Sequence, residues 1–447
     1  MFAQQIMDTR QIYAAVDQWA TAVEPFSNWA KEVAMYWDER LNPHIGMLPD
    51  AVLENPHFQR FRRIIAISAM IAHRRTRAFE KPDWDIYKTE INNKVYRITE
   101  EEVFDKTFCT LINFKKEGAP PQPKMLIVAP MAGHYATLLR GTVEGFLPYF
   151  DIYVTDWKNA RNIPLSQGSF DFDSFIDYCM EFMRMLGPDL HVVGVCQPGP
   201  ALVAACSILA AENDPAQPAT LSLFGSPVDT SSEPTRVNHF GSNRSEAWFG
   251  DNVIAVVPKG HAGAGRIVYP GFIQLSGFMG MNINRHMQSG MDAIKNYVEG
   301  DFEEAEKIAK FYDEYNAVID LTAEFYMQTI RAVFQERLLP RGKLISRGRK
   351  VNPAAIKNTA LFAVEGEKDD ICGLGQTKAM LELTPNVPDD CKEYLLVEGA
   401  GHYGIFNGSR FRKLVVPKIV EFAMKHGGSK KQSRPVPTVV SSRKSNS

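Results

Sequence analysis

The 447-residue chain lacks the features that define several classes of protein. Its basic and acidic residues nearly balance, at 50 against 52, so it has no general basic field for binding nucleic acid. No apolar run approaches the ~18 to 20 residues that span a bilayer. The first twenty residues carry polar and acidic side chains where a signal peptide has its apolar stretch. We therefore predict a protein that binds no nucleic acid and has no transmembrane segment.

Cysteine is scarce as well. The six cysteines are scattered, with no CxxC pair and no short spacing suited to zinc. So few thiols in so long a chain do not resemble the disulfide framework of a small secreted protein. We expect no metal and no cofactor, and a reducing cytoplasmic compartment that would keep a reactive thiol reduced.

What is present indicates a large globular protein. Apolar residues make up 45% of the chain and aromatic residues 11%, which is enough for a sizeable core. Residues 1–104 look helical and amphipathic, with aromatics at three- and four-residue spacing. This region is either a helical layer packed on the main domain or a surface for a hydrophobic partner.

From residue 105 onward, short buried runs alternate with helical stretches, a pattern that predicts a mostly parallel sheet flanked by helices. The alternation covers residues 105–229, stops over 230–355 and resumes over 356–426. We interpret residues 230–355 as a cap inserted between the sixth and seventh strands of one α/β domain. The tail, 427–447, is rich in Ser, Lys and Pro and is predicted to be disordered.

The segment "HVVGVCQPGPALVAA" places a thiol where a strand turns into a helix. In α/β-hydrolases this turn reads G-x-nucleophile-x-G and lifts the nucleophile out of the sheet. Gly194 and Cys196 fit the motif, while Pro198 replaces its second glycine. The alternative is that Cys196 is a small buried hydrophobe. No G-x-S-x-G occurs in the chain, so Cys196 has no serine competitor in that motif.

An acid and a histidine follow Cys196 in the chain order of the α/β-hydrolase triad. "GEKDDI" offers Asp369 or Asp370, and "GAGHYG" offers His402, each just past a predicted strand. His402 could instead be a loop histidine that fills a turn. His134 is the rival base, but it precedes the nucleophile, so we assign it to substrate binding.

The same motif predicts where the negative charge of a reacting ester would be stabilised. The residue after the nucleophile, Gln197, keeps its backbone N–H. A second N–H is expected from the "PMAGH" loop, at Met131 or Ala132. Loss of one such donor typically costs about 3 kcal/mol of transition-state stabilisation.

At these residues the chain resembles the intracellular poly(3-hydroxybutyrate) depolymerases, α/β-hydrolases related to the polyhydroxyalkanoate synthases. The resemblance runs to about residue 426 and rests on "VVGVCQPGPALVAA", "SLFGSPVDT", "EGEKDDICG" and "VEGAGHYGIFNGSRF". It implies that Cys196, Asp369 and His402 are catalytic, since the acid in the synthases precedes Ile by two positions. The synthases have glycine after their cysteine. Gln197 therefore favours the depolymerase side.

The resemblance implies an ester hydrolase acting on the hydrophobic polyester of cytoplasmic storage granules. The "GFIQLSGFMGM" segment supplies Phe272, Phe278 and Met281 as contacts for an apolar chain, unless these residues are simply the core of the cap. The alternatives are a synthase-type acyltransferase, a small-ester cysteine hydrolase and an inactive granule-coat protein. The acyl acceptor, water or a thiol such as CoA, stays open, as does assembly into a homo-oligomer.

Overall fold

The structure is a computed structural model, and it describes residues 9–38, 42, 49–77, 79–281 and 283–427. The predicted disordered tail lies, from residue 428 onward, outside the described residues. No helix in the described ranges is long and apolar enough to cross a membrane.

Helices and strands alternate along most of the chain. The helices are α1 (Thr9–Trp37), α2 (Asp50–Leu53), α3 (Pro56–Thr76), α4 (Arg140–Phe146), α5 (Phe172–Leu186), α6 (Gly199–Ala211), α7 (Arg236–Ser242), α8 (Glu246–Asn252), α9 (Gly271–Met281), α10 (Ile283–Glu299), α11 (Phe302–Asn316), α12 (Ala323–Thr329), α13 (Ala379–Leu383), α14 (Gly408–Arg410) and α15 (Val416–His426). The strands are β1 (Lys88–Ile91), β2 (Lys94–Asp105), β3 (Cys109–Lys116), β4 (Lys124–Val128), β5 (Asp151–Trp157), β6 (His191–Val195), β7 (Thr220–Phe224), β8 (Ala255–Val256), β9 (Ile267–Tyr269), β10 (Leu321–Thr322), β11 (Ile345–Ser346), β12 (Arg349–Lys350), β13 (Ala360–Gly366) and β14 (Lys392–Val397).

Nine strands form one sheet in the order β1-β2-β3-β5-β4-β6-β7-β13-β14. Neighbours from β5 to β14 are parallel, whereas β1, β2 and β3 pair antiparallel at one edge. Order and direction together are those of the α/β-hydrolase fold, which confirms the predicted fold class. The sheet brings the carboxyl ends of β6, β13 and β14 to the same edge.

Burial explains why the sequence forms this sheet. Every residue of β6, β7 and β13 is buried, as expected for strands covered by helices on both faces. Helix α6 is apolar all round and is buried from Gly199 to Leu209. Helix α5 is amphipathic instead, begins at the N-cap Asp171 and buries one face.

The prediction of a helical region through residue 104 is wrong for its last part. Helix α3 ends at Thr76, and β1 and β2 form a hairpin at the edge of the sheet. The hairpin turns at Asn92 and Asn93, whose φ angles of 51° and 60° are the left-handed values that asparagine tolerates in such turns. The polar and apolar residues of β2 alternate with a period of two, which is typical of a strand and differs from the 3.6-residue period of a helix.

Between β7 and β13 the β–α alternation is interrupted, as the sequence predicted. This segment holds helices α7 to α12, a three-stranded antiparallel sheet in the order β10-β9-β8 and the hairpin β11–β12. It contacts the loop after β4, where the Ile319 N–H donates to the Gly133 carbonyl at 2.6 Å. The exact limits of the cap stay a prediction.

Candidate active site

The chain turns sharply from β6 into α6 at Cys196. Its φ of 65° is left-handed, which is uncommon and strained for a residue other than glycine. The Cys196 N–H donates to the Phe224 carbonyl at 2.8 Å and so pins the turn to β7. The thiol is half-buried, whereas four of the other five cysteines are buried.

The glycine that the motif places at 198 is replaced functionally by Gly199. A Cβ atom at Gly199 would lie 2.4 Å from the Cβ of Ser226, closer than real side chains approach. Pro198 takes the N-cap position of α6, where its missing N–H has no intrahelical partner to lose. The close passage of helix and strand is therefore kept, one residue later than in the usual motif.

His402 and Asp369 form a buried pair beside this turn. His402 Nδ1 donates to Asp369 Oδ2 at 2.8 Å, and the two side chains are 4% and 1% exposed. The other carboxylate oxygen, Oδ1, accepts the backbone N–H groups of Ile371 and Cys372, both at 2.9 Å. Asp370, by contrast, is exposed. The structure thus selects Asp369 as the histidine's partner.

The protonation of His402 reflects these contacts. Burial is the largest single influence and lowers its pKa. The charge and hydrogen bond of Asp369, together with the nearby Cys196 sulfur, outweigh burial, so the pKa is raised well above its ordinary value. Because Nδ1 is held by Asp369, Nε2 is the ring nitrogen that remains available to another group. Asp369, His402 and Cys196 therefore form one group of neighbouring side chains, the relay.

Gly225, which follows β7, lies directly beneath the His402–Asp369 pair. A Cβ atom there would lie 3.1 Å from His402 Cε1 and 3.2 Å from Asp369 Oδ2, and the φ of 55° is left-handed. Glycine is thus needed for both space and conformation. The sequence analysis quoted this glycine in "SLFGSPVDT" but gave it no role.

The predicted donors for the oxyanion stand near each other, with one difference. The Met131 N–H donates to the side-chain carbonyl of Gln197, Oε1, at 3.1 Å. The Gln197 amide nitrogen, Nε2, is buried without a hydrogen-bond partner among the described residues. The Gln197 side chain thus occupies one predicted donor, which sequence reasoning did not foresee. Ala132 follows in the same loop and is half-buried.

His134 is buried among aromatic side chains. Its Nε2 donates to the Tyr315 carbonyl at 3.1 Å, and its ring lies 5.4 Å from that of Phe278 and 5.0 Å from that of Tyr315. Burial lowers the pKa of His134 to about 4, so the ring is neutral near pH 7. These contacts leave His134 unsuited to act as the base. Together with Phe278 and Tyr315 it forms an aromatic wall.

The predicted polymer contacts do not form one surface. Phe272 packs against Tyr13, with ring centroids 5.6 Å apart, in a separate apolar cluster, while Phe278 packs against His134. The two lie on different faces of α9 because six residues rotate a helix by more than one and a half turns. Met281 ends α9, but its side chain lies outside the described residues.

Tyr403 was not singled out from the sequence, although it directly follows His402. Burial raises the pKa of its hydroxyl well above the ordinary value, and neighbouring Tyr315 and Cys196 contribute to the shift. The Tyr403 ring lies 5.9 Å from the His402 ring and 6.2 Å from the Tyr315 ring. The Tyr403 ring therefore lies between His402 and Tyr315 of α11. Within the described ranges, no cluster of three or more His, Cys, Asp or Glu side chains is placed to hold a metal ion.

The second half of the chain matches a known family. Residues 225–427 match the family model described as PHB de-polymerase C-terminus, where PHB is poly(3-hydroxybutyrate). This region is therefore similar to the carboxyl-terminal part of PHB depolymerases. It contains Asp369 and His402, whereas Cys196 precedes the matched range. No curated protein sequence matches the chain.

Distant similarities to solved hydrolases accompany this match. An esterase from Thermogutta terrifontis is 14% identical over 77% of this chain and 98% of its own, with a TM-score of 0.38. A 2-hydroxy-6-oxo-6-phenylhexa-2,4-dienoate hydrolase from a Rhodococcus species is 15% identical over 73% and 99%, with a TM-score of 0.41. A monoglyceride lipase from Saccharomyces cerevisiae is 12% identical over 77% and 99%, with a TM-score of 0.42. These similarities are too remote to bear on the chemistry of this chain.

Proposed function

We propose that the protein is an ester hydrolase that depolymerises poly(3-hydroxybutyrate), with Cys196 as nucleophile, His402 as general base and Asp369 as its orienting acid. The observation that carries the proposal is the buried His402–Asp369 pair, joined at 2.8 Å, with the Cys196 sulfur close enough to contribute to the raised pKa of the histidine. The match of residues 225–427 to the PHB depolymerase family supplies the substrate class.

The reaction begins with the Cys196 sulfur attacking an ester carbonyl of the polymer, while its proton resides on His402. The carbonyl π electrons move to oxygen, where the backbone N–H groups of Gln197 and Met131 stabilise the negative charge. Because Met131 donates to the Gln197 side chain at rest, this side chain swings aside when the substrate binds.

Collapse of this intermediate breaks the bond to the ester oxygen. The leaving alcohol takes the proton from the His402 imidazolium, and the acyl part of the chain remains on Cys196 as a thioester. Water then attacks the thioester and gives a proton to His402. The second collapse releases the acid and restores the thiol. Asp369 stays ionised and stabilises the imidazolium at each step.

The partner and the site of action follow from this substrate. We place the protein in the cytoplasm, at the surface of amorphous polyester granules. Assembly into a homo-oligomer remains a proposal that this chemistry neither requires nor prevents.

The test is incubation of the purified protein with amorphous granules, with and without CoA, and identification of the soluble products. Hydroxy acids that form without CoA would support hydrolysis, and acyl-CoA products would make a thiol the acceptor. Cys196→Ala should abolish release while the protein stays folded. Substantial release by this variant would refute the assignment of the nucleophile. Polymer growth from acyl-CoA would indicate a synthase instead.

A further inference from the structure

An apolar groove of about 800 Å³ runs between helices α3, α10 and α11. Its volume falls within the ~300 to 1,000 Å³ typical of sites for small-molecule ligands. The walls include Ile71 from α3, Met287 and Met291 from α10, and Ala309 from α11. Met287 and Met291 are 62% and 63% exposed, which is unusual for large apolar side chains that face one groove.

A packed cluster supports the floor of this groove. Ile67, Tyr297 and Ala305 line it and are buried, and Met70 and Phe302 pack against them. The groove is therefore a built surface over a solid base. Methionine suits such a wall because its unbranched side chain adapts to irregular apolar partners.

Glu306 and Arg74 are the acidic and basic side chains of the groove, and both are paired, Glu306 with Lys310 at 3.6 Å. Arg74 lines the wall, but its guanidinium lies 3.2 Å from the Asp313 carboxylate and donates to the Ala309 carbonyl at 2.8 Å. Tyr312 and His286, also in the wall, are hydrogen-bonded to each other at 3.0 Å. The groove therefore offers mainly apolar contacts and selects against a charged ligand.

A chain of aromatic side chains connects the groove with the reacting groups. The His286 ring lies 5.1 Å from that of Tyr315, and the Tyr315 ring lies 6.2 Å from that of Tyr403. The Tyr403 ring in turn lies 5.9 Å from that of His402. The groove and the relay thus meet at the aromatic wall. His286 of α10 and Tyr403 in the loop after β14 extend this wall on either side of Tyr315.

We propose that this groove binds the polyester chain beyond the ester that is being cleaved. This inference rests on the proposed function and assigns a binding subsite for several repeat units. A poly(3-hydroxybutyrate) chain carries no charge and no hydrogen-bond donor within its length, which matches the apolar walls. A depolymerase must also lead the rest of its substrate away from the nucleophile, and the groove begins where the aromatic wall ends.

The test compares esters of different length in a groove variant. Met287→Lys combined with Met291→Lys changes two exposed side chains and leaves the floor intact. In the wild type, kcat/KM should rise with the length of soluble 3-hydroxybutyrate oligomers, because remote contacts help only substrates that reach them. In the variant, the ratio of kcat/KM for the longest oligomer to that for a short nitrophenyl ester should fall by about tenfold or more.

Met185→Lys combined with Met424→Lys is the matched control, since these methionines are 40% and 38% exposed on α5 and α15, outside the groove. Its long-to-short ratio should stay within about twofold of the wild type. An unchanged ratio in the groove variant, or an equal fall in the control, would overturn the proposal. The proposal would also be overturned if sedimentation velocity showed that the groove substitutions convert a dimer to a monomer while kcat/KM still rises with oligomer length.

Failure of the proposed function can be told apart from failure of the groove. If the wild type cleaves no ester of any length, the proposed function is wrong. Calorimetric titration of the longest oligomer into Cys196→Ala then tests the groove alone. Binding that the two groove substitutions abolish would support the groove, and the absence of binding would overturn it.

Discussion

At the scale of single residues, the strain at Cys196 is the feature that most directly suggests chemistry. A left-handed φ of 65° costs a cysteine on the order of 1 to 2 kcal/mol relative to an ordinary conformation. The hydrogen bond from its N–H to Phe224 helps to hold this conformation. The turn stands beside the His402–Asp369 pair, and Cys196 contributes to the raised pKa of His402. A buried structural cysteine would need no such conformation.

Asn substitutions at Asp369 and Asp370 should have very different effects. Asp369→Asn removes the charge that raises the pKa of His402, so burial then lowers that pKa and the imidazole loses its favoured tautomer. Turnover should fall by orders of magnitude, about 10⁴ in a comparable triad. Asp370→Asn should change turnover by less than about twofold, as exposed substitutions generally do. Steady-state kinetics and ¹⁵N NMR of His402 would check both, and the reverse ranking would contradict the assignment.

The same pair makes stability depend on pH in a defined direction. The folded-state pKa of His402 is raised, so its protonation stabilises the fold fully below the unfolded value of about 6.5. This contribution is lost as pH rises through the raised pKa. The deficit in unfolding free energy of Asp369→Asn, measured by denaturant titration, should therefore shrink with rising pH. A deficit that is constant with pH would contradict the ion pair.

Two substitutions of Gln197 should separate its backbone role from that of its side chain. Gln197→Glu would place a carboxylate on the Met131 N–H, where a charge-assisted hydrogen bond holds that carboxylate. Its negative charge would then repel the developing oxyanion. Gln197→Glu should therefore lower kcat by about 100-fold or more. Gln197→Ala frees the Met131 N–H and should retain most activity. A loss in Gln197→Ala as severe as in Gln197→Glu would mean that the amide itself takes part in the reaction.

At the scale of elements, the strands whose residues are all buried were predictable and the edge hairpin was not recognised. Strands such as β6 and β13 are continuous apolar runs between polar turns, which tertiary packing covers on both faces. Strand β2 is largely exposed. Its alternating polar and apolar residues are therefore hard to distinguish in sequence from the amphipathic helices before it. Cys196, Asp369 and His402 could be predicted to lie together because each follows the carboxyl end of a strand, and a parallel sheet gathers those ends at one edge.

Other features of the site depend on contacts that no local pattern encodes. The placement of the Gln197 side chain on Met131 and of Gly225 beneath His402 requires loops from four different strands to meet. The choice between Asp369 and Asp370 rested on a resemblance. The difference between the buried side chain of Asp369 and the exposed Asp370 depends on how the loop after β13 turns inward.

Helix α9 gives a prediction that contrasts two phenylalanines. Phe278 packs on His134 in the aromatic wall, whereas Phe272 packs on Tyr13 in a separate cluster. Phe278→Ser should reduce granule hydrolysis more than hydrolysis of a short soluble ester, because remote contacts serve only a long substrate. Phe272→Ser should lower the thermal midpoint and affect both substrates in proportion. If Phe278→Ser also reduced hydrolysis of both substrates in proportion, Phe278 would be a core residue without a role in polymer binding.

At the scale of the whole molecule, the N-terminal helices and the inserted segment are joined around the sheet. The Tyr13 hydroxyl of α1 donates to the Asp320 carboxylate, whose other oxygen accepts the Gly271 N–H at 2.9 Å. Helix α3 meets α10 and α11 across the apolar groove. Elements far apart in sequence thus build the groove and the surface next to the relay.

The most direct test of the account is to trap the acyl-enzyme. The protein is mixed with a soluble 3-hydroxybutyrate oligomer, quenched in acid within the first turnovers, and analysed by intact-mass and peptide mass spectrometry. The account predicts an added acyl group on the peptide that contains Cys196, removable by hydroxylamine as a thioester should be and absent from Cys196→Ala. An adduct on any other residue, or ester cleavage by Cys196→Ala at the wild-type rate, would contradict it.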